Sequence, residues 1–202
     1  IGDATASTAY WAHLGGFGAG LILSFVFRAP DLGQLKLGHE VLDRMNERGP
    51  AAAIAAALKH LEVHPDDPKA VQQLIDAHNL MNNVEGEAGA LVKVIRLLPT
   101  EDIGIPIRRL GELGEMRQLA VIERMKLAGR VKDQDAKAAE CLYRSVIDEP
   151  TTESQIPEAM LALAGLLLEE RPEEAAAILA QLEKEYPLHP TVELAKARGW
   201  LA

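Results

Sequence analysis

Two patterns of apolar and polar positions divide the chain. From Ala4 to Phe27, a run of 24 residues, there is no Asp, Glu, Lys or Arg. From Arg28 onward, apolar positions recur at helical spacing between charged ones. Proline or glycine interrupts this second pattern at Gly49-Pro50, Pro65 to Pro68, Pro99, Gly104 to Pro106, Gly129, Pro150, Pro172 and Pro187 to Pro190. Proline is tolerated where a helix starts but not in its interior. The breaks therefore predict about eight or nine helices of modest length between Arg28 and Ala202.

The uncharged run predicts a different kind of helix. At about 1.5 Å per residue it spans roughly 36 Å, more than the roughly 30 Å of a bilayer's hydrocarbon core. All 21 Lys and Arg lie at Arg28 or later, and Asp3 is the only acidic residue before the run. The solvent is thus expected to change from lipid to water near Arg28. Arg28 and Lys36 place the C-terminal side in the cytoplasm, because basic residues flank that side of membrane helices. A secretory leader would carry its positive charge before the apolar stretch, not after it. The rival reading is a helix buried in a soluble domain, which a fully apolar run of this length rarely fits.

Within the run, Gly16 and Gly20 are four residues apart and share one helical face. Such a small-residue face admits another helix closely in lipid. His13 precedes Gly16 by three residues and lies on the same stripe. A polar ring at membrane depth is costly unless it faces protein or water, so His13 is expected to point toward the packed neighbour. An imidazole there has the chemistry of a general base for a serine. A structural histidine bonded to a neighbouring helix is the other reading of His13 alone. The glycines from Gly15 to Gly20 do not fit a dinucleotide-binding fingerprint, and no strand precedes them.

The pattern Ala12-His13-x-x-Gly16-x-x-x-Gly20, with Tyr10, Trp11 and Phe17 around it, resembles the sixth membrane helix of rhomboid intramembrane proteases. The resemblance covers about residues 4–28. It implies a Ser-His dyad that cleaves membrane-spanning substrates, without metal or organic cofactor. His13 would be the general base, and Ala12, Gly16 and Gly20 the helix-packing residues of the motif. In that family the nucleophile sits in a Gly-x-Ser-Gly motif on an earlier helix. No such motif occurs here: Ser7 is followed by Thr8, and Ser24 lies between Leu23 and Phe25. The chain opens on Ile1 rather than Met, and the serine is expected upstream of it. An inactive rhomboid-like membrane protein and a membrane-anchored adaptor remain as alternatives.

The second pattern contains an internal repeat. Pro65 and Pro99 are 34 residues apart, and each follows a predicted second helix of a hairpin. Leu91 and Val94 fall in that second helix, Leu74 and His78 in the first. Ala53 and Ala57 before Pro65, Ala138 and Leu142 before Pro150, and Ala175, Leu179 and Leu182 before Pro187 occupy related offsets. Pro157 to Pro187 reads as a hairpin, with Ala164-Gly165 in one helix and Pro172 opening the next. The segment resembles tetratricopeptide repeats, although Leu, Met or His stands at most of the usual aromatic positions and the stretch Glu101 to Gly129 is longer than one repeat. The fold expected is all-α: residues 1–28 as the last membrane helix of a rhomboid-like bundle, and 29–202 as a soluble α-solenoid of tetratricopeptide-like hairpins. The resemblance implies a peptide or protein ligand for the repeats, beside a purely stabilising or oligomerising role.

Composition narrows the partners. A net charge of −9 argues against nucleic acid and favours a basic peptide. The bilayer and membrane-protein substrates are the other expected partners, with the chain integral to a bacterial cell membrane and the repeats in the cytoplasm. Aromatic residues make up only 4%. The single cysteine, Cys141, excludes an intrachain disulfide and falls in a packed helical pattern with Leu142 and Tyr143. His60 and His64 share a helix face, but two histidines are half a metal site, and no metal is expected. His39-Glu40 lacks the second histidine of a zinc-protease motif. Glu173 and Glu174 are expected in a first helical turn after Pro172, where negative charge suits the helix dipole.

Overall fold

A computed structural model of the chain describes residues 49–149 and 154–201. Among the described residues the fold is all-helical, with no strand. Nine α-helices follow in order: α1 (Pro50–Val63), α2 (Pro68–Leu80), α3 (Val84–Leu97), α4 (Gly104–Glu112), α5 (Val121–Val131), α6 (Ala136–Ile147), α7 (Ile156–Leu167), α8 (Pro172–Glu185) and α9 (Pro190–Ala197). Short 3-10 turns precede α4 at Thr100–Asp102 and α5 at Met116–Gln118. The run 4–27 and the Pro150 break lie outside the described residues. Among the described residues no helix is long and apolar enough to cross a membrane.

Proline and capping residues set the starts. Pro50, Pro68, Pro172 and Pro190 each occupy the first position of their helix, where the missing N–H would have no intrahelical acceptor. The Asp67 carboxylate accepts from the Lys69 backbone N–H at 3.0 Å and Asp135 from that of Ala138 at 3.0 Å. Asn83 accepts from Gly86 N–H at 3.1 Å. The Ile103-Gly104-Ile105-Pro106 break is the beginning of α4, with Pro106 in its first turn. Gly129 is not a break: α5 runs through it to Val131. One glycine in a helix costs only about 1 kcal/mol, which flanking residues on a buried stripe offset.

Each helix packs against its neighbours in sequence from α1 to α4, then α5 on α6, α6 on α7, and α7 on α8. α4 also reaches α6, and α9 lies on α7 and α8. The contacts are built from small and aliphatic side chains. Ala53, Ala57, Ala70, Ala77, Ala88 and Ala138 are all buried, so helix backbones approach closely. Between them sit Leu74, Leu91, Ile95, Ile107, Leu110, Leu142, Leu163, Leu179 and Leu182. A fully buried aliphatic side chain contributes about 1.5–3 kcal/mol, which is why these stripes drive the stacking.

Charges enter the same seams. Glu87 of α3, 2% exposed, receives Arg109 of α4 through Nε at 2.7 Å and Nη2 at 3.3 Å. The Arg108 guanidinium of α4 donates to Asp135 at the head of α6. Arg124 of α5 is 1% exposed. Its Nη1 donates to the Ser145 carbonyl at 2.7 Å and to Ser145 Oγ at 3.2 Å, and its Nη2 donates to the Glu149 carboxylate. Its Nε has no partner. A buried cation stabilises only where its partners replace water well, and removing one side of such a pair costs more than replacing the pair with apolar groups. Arg124→Ala is therefore expected to lower unfolding free energy by about 3 kcal/mol, with Arg124→Met recovering part of the loss by filling the same volume. Urea denaturation followed by circular dichroism checks both.

Candidate functional site

The predicted catalytic residue His13 and the packing residues Ala12, Gly16 and Gly20 lie outside the described residues. So do Ser7, Ser24, His39 and Glu40. The candidate chemistry of the described residues sits in three places: the α1–α2 turn, a charge network across α6 and α8, and a cleft beside the C-terminal tail.

At the α1–α2 turn the His60 and His64 rings lie 4.7 Å apart and tilted by 34°. They do not converge on a metal position. His60 Nε2 is 2.9 Å from Asp67 Oδ2, and the other Asp67 oxygen caps α2. Asp67 is buried, and hydrogen bonds at both of its oxygens offset the cost of taking the carboxylate out of water. Among the described residues no group of three or more His, Cys, Asp or Glu is placed to hold a metal ion.

Glu140 and Arg144 of α6 meet Arg171 and Glu174 at the head of α8 in an alternating ring of charge. Arg144 donates to Glu140 at 2.8 Å and also to Glu174. Arg171 donates to Glu174 at 3.1 Å and also to Glu140. Burial alone would push the Glu140 carboxyl up. The hydrogen bonds from Arg171 and Arg144 outweigh it and hold the group below its ordinary value. Glu123 is lowered in the same direction by the forked hydrogen bonds of Arg96, at 2.8 Å each. Cys141, next to Glu140 in α6, is pushed up by burial and then by the Glu140 and Glu112 charges. Its thiol stays protonated and is a poor nucleophile, as a packed cysteine should be.

The third place is a half-open cleft of about 590 Å³. Tyr143 of α6 lines it, together with Leu161, Gly165 and Leu166 of α7. The turns after α5 and α7 bring Lys132, Asp133, Glu169 and Glu170 to its edge. The tail closes one side with Arg198 and Trp200. The tail's position depends on Gly165: a Cβ built there would come within 2.8 Å of the Trp200 ring. The Arg198 guanidinium carbon lies 4.9 Å from the Trp200 ring centroid, a cation–π arrangement.

Tyr143 is 5% exposed, and its hydroxyl has no hydrogen-bond partner among the described residues. Burial pushes the phenol's pKa up, so it remains a neutral donor. Sequence reading placed Tyr143 and Glu169-Glu170 on predicted helices and turns but did not bring them together. No sequence signal links them: Tyr143 and Glu169 are 26 residues apart, short of the 34-residue period.

Searches of protein-family models and of curated proteins find no match to this chain.

The charge ring has a direct pH consequence. A carboxylate whose folded pKa is depressed stabilises the fold above its unfolded value, and that stability is lost as pH falls through the folded value. Stability is expected to fall on acidification below about pH 4.5, the ordinary value for this carboxyl. Glu140→Gln is expected to be less stable at neutral pH and to flatten this acid limb, as read from denaturation midpoints between pH 3 and 7 (roughly the span over which carboxylates protonate).

Proposed function

We propose that the chain is part of a rhomboid-type intramembrane serine endopeptidase, in which a helical repeat domain holds a peptide or protein partner on the cytoplasmic side. Residues 1–28 supply the last membrane helix, and 29–202 the repeats. The observation that carries the reading is the stripe His13, Gly16 and Gly20 inside a run of 24 residues without charge. His13 takes the proton of a serine on a neighbouring membrane helix and later returns it to the leaving amine. Ala12, Gly16 and Gly20 let that helix approach. The substrate is a membrane-spanning protein in the bacterial cell membrane, and the chemistry needs no cofactor.

The repeat half of the proposal has support of its own. α1 and α3 both stop two residues before a proline, at Pro65 and Pro99, in the 34-residue register. Asp67 and Asp135, two such periods apart, each cap a helix, α2 and α6, by accepting a backbone N–H of its first turn. Each short helix stacks on sequence neighbours, as expected of a tetratricopeptide-like solenoid. Stacks of this kind serve as scaffolds for partners.

The test is His13→Ala in the full-length protein, assayed on a labelled single-span membrane substrate. Cleavage is expected to fall by at least about 10³-fold, the scale of losing a general base for a serine nucleophile. Undiminished cleavage by the variant removes the catalytic role. No cleavage by the unaltered protein, with no Gly-x-Ser-Gly upstream, favours the inactive membrane-protein reading.

A further inference from the structure

We infer that the cleft beside the tail is a binding site for a basic side chain, Arg or Lys, presented by a partner peptide. The inference rests on the partner-holding half of the proposed function and is independent of the protease half.

Four features converge on a cationic occupant. First, α5 ends at Val131 and α7 at Leu167, and both C-terminal ends reach the cleft's edge. A helix C-terminus carries about half a negative charge in its last turn. Second, the residues just beyond these ends include three carboxylates, Asp133, Glu169 and Glu170, and none has an ion-pair partner among the described residues. Elsewhere the acids at helix seams, such as Glu87, Glu123 and Glu140, are each matched by an arginine. Third, the wall is Trp200 and Leu166, suited to the long apolar stem that Arg and Lys carry beneath their charge. Fourth, the Tyr143 side chain, 5% exposed, lines the cleft, and its neutral hydroxyl makes no hydrogen bond among the described residues. It is the hydrogen-bonding group that a peptide's carbonyl would satisfy.

Two cations also line the cleft, and they shape the fit. Arg198 is stacked on the Trp200 ring, so its charge is already engaged at the cleft's wall. Lys132 stands at the turn after α5 and makes no ion pair among the described residues. An occupant bearing a positive group displaces it toward solvent, a small cost for a long flexible side chain.

The experiment uses the full chain in detergent with Trp11→Phe, which leaves Trp200 as its only tryptophan. The probe is a capped synthetic hexapeptide, Leu-Arg-Ala-Arg-Leu-Ala, with a control in which Glu replaces both Arg. The basic peptide is expected to change Trp200 fluorescence saturably, and the acidic control to leave it unchanged. The triple variant Asp133→Asn, Glu169→Gln, Glu170→Gln, with unaltered helix content by circular dichroism, is expected to bind at least ten-fold more weakly. Tyr143→Phe is expected to weaken binding two- to three-fold. Equal binding by the triple variant, equal binding of the acidic control, or no saturable response up to about 1 mM peptide overturns the inference. None of these readouts involves cleavage, so their failure leaves the His13 test standing.

Discussion

Every helix in the described fold carries an apolar stripe that it cannot bury alone. The helices are short, from eight residues in α9 to fourteen in α1, α3 and α8. Isolated helices of such length are marginal in water, because nucleation is costly and few hydrogen bonds follow it. Stability must come from stacking, and stacking with few aromatic side chains requires close approach. Alanines at the seams provide that approach, and leucines fill the space between them. The architecture is thus a consequence of composition: a chain rich in Ala and Leu gains burial by bringing many backbones together rather than by filling a large cavity.

The same close packing decides where charge can go. Arginine reaches across seams because its long stem lies along apolar surface while its planar head forks onto carboxylates. Arg96 bridges α3 to α5, Arg109 bridges α4 to α3, and Arg124 anchors the end of α6. Exposed pairs of this sort contribute little individually. Arg124 and the Arg109–Glu87 pair differ, because one partner in each is almost wholly buried and would be expensive to strand. They make the seams specific, since a shifted helix would leave a charge without its partner.

Most charges at the helix seams are matched and the apolar stripes filled, Arg124 Nε being an exception. The cleft beside the tail differs: among the described residues its three carboxylates make no ion pair, although Lys132 and Arg198 also line it, and its tyrosine hydroxyl makes no hydrogen bond. Unsatisfied polar groups around an apolar floor are where a partner gains most from binding. Under the proposed membrane reading His13 would pose the converse problem, because a polar ring at membrane depth needs another helix or water to satisfy it.

Local pattern determined much on its own. Helical class, the starts at Pro50, Pro68, Pro172 and Pro190, and the first-turn glutamates after Pro172 are all legible in the chain, because propensity and proline geometry act over a few residues. Gly129 misled, because a glycine's small penalty was overridden by the stripe on either side of it. Tertiary structure alone decided that Arg124 lies inside and that Arg171, thirty-one residues from Glu140, completes its charge ring. It alone decided that Trp200 folds onto Gly165 and leaves a cleft under Tyr143. Such pairings depend on distances set by the packing of whole helices, and periodicity carries no record of which stripe meets which.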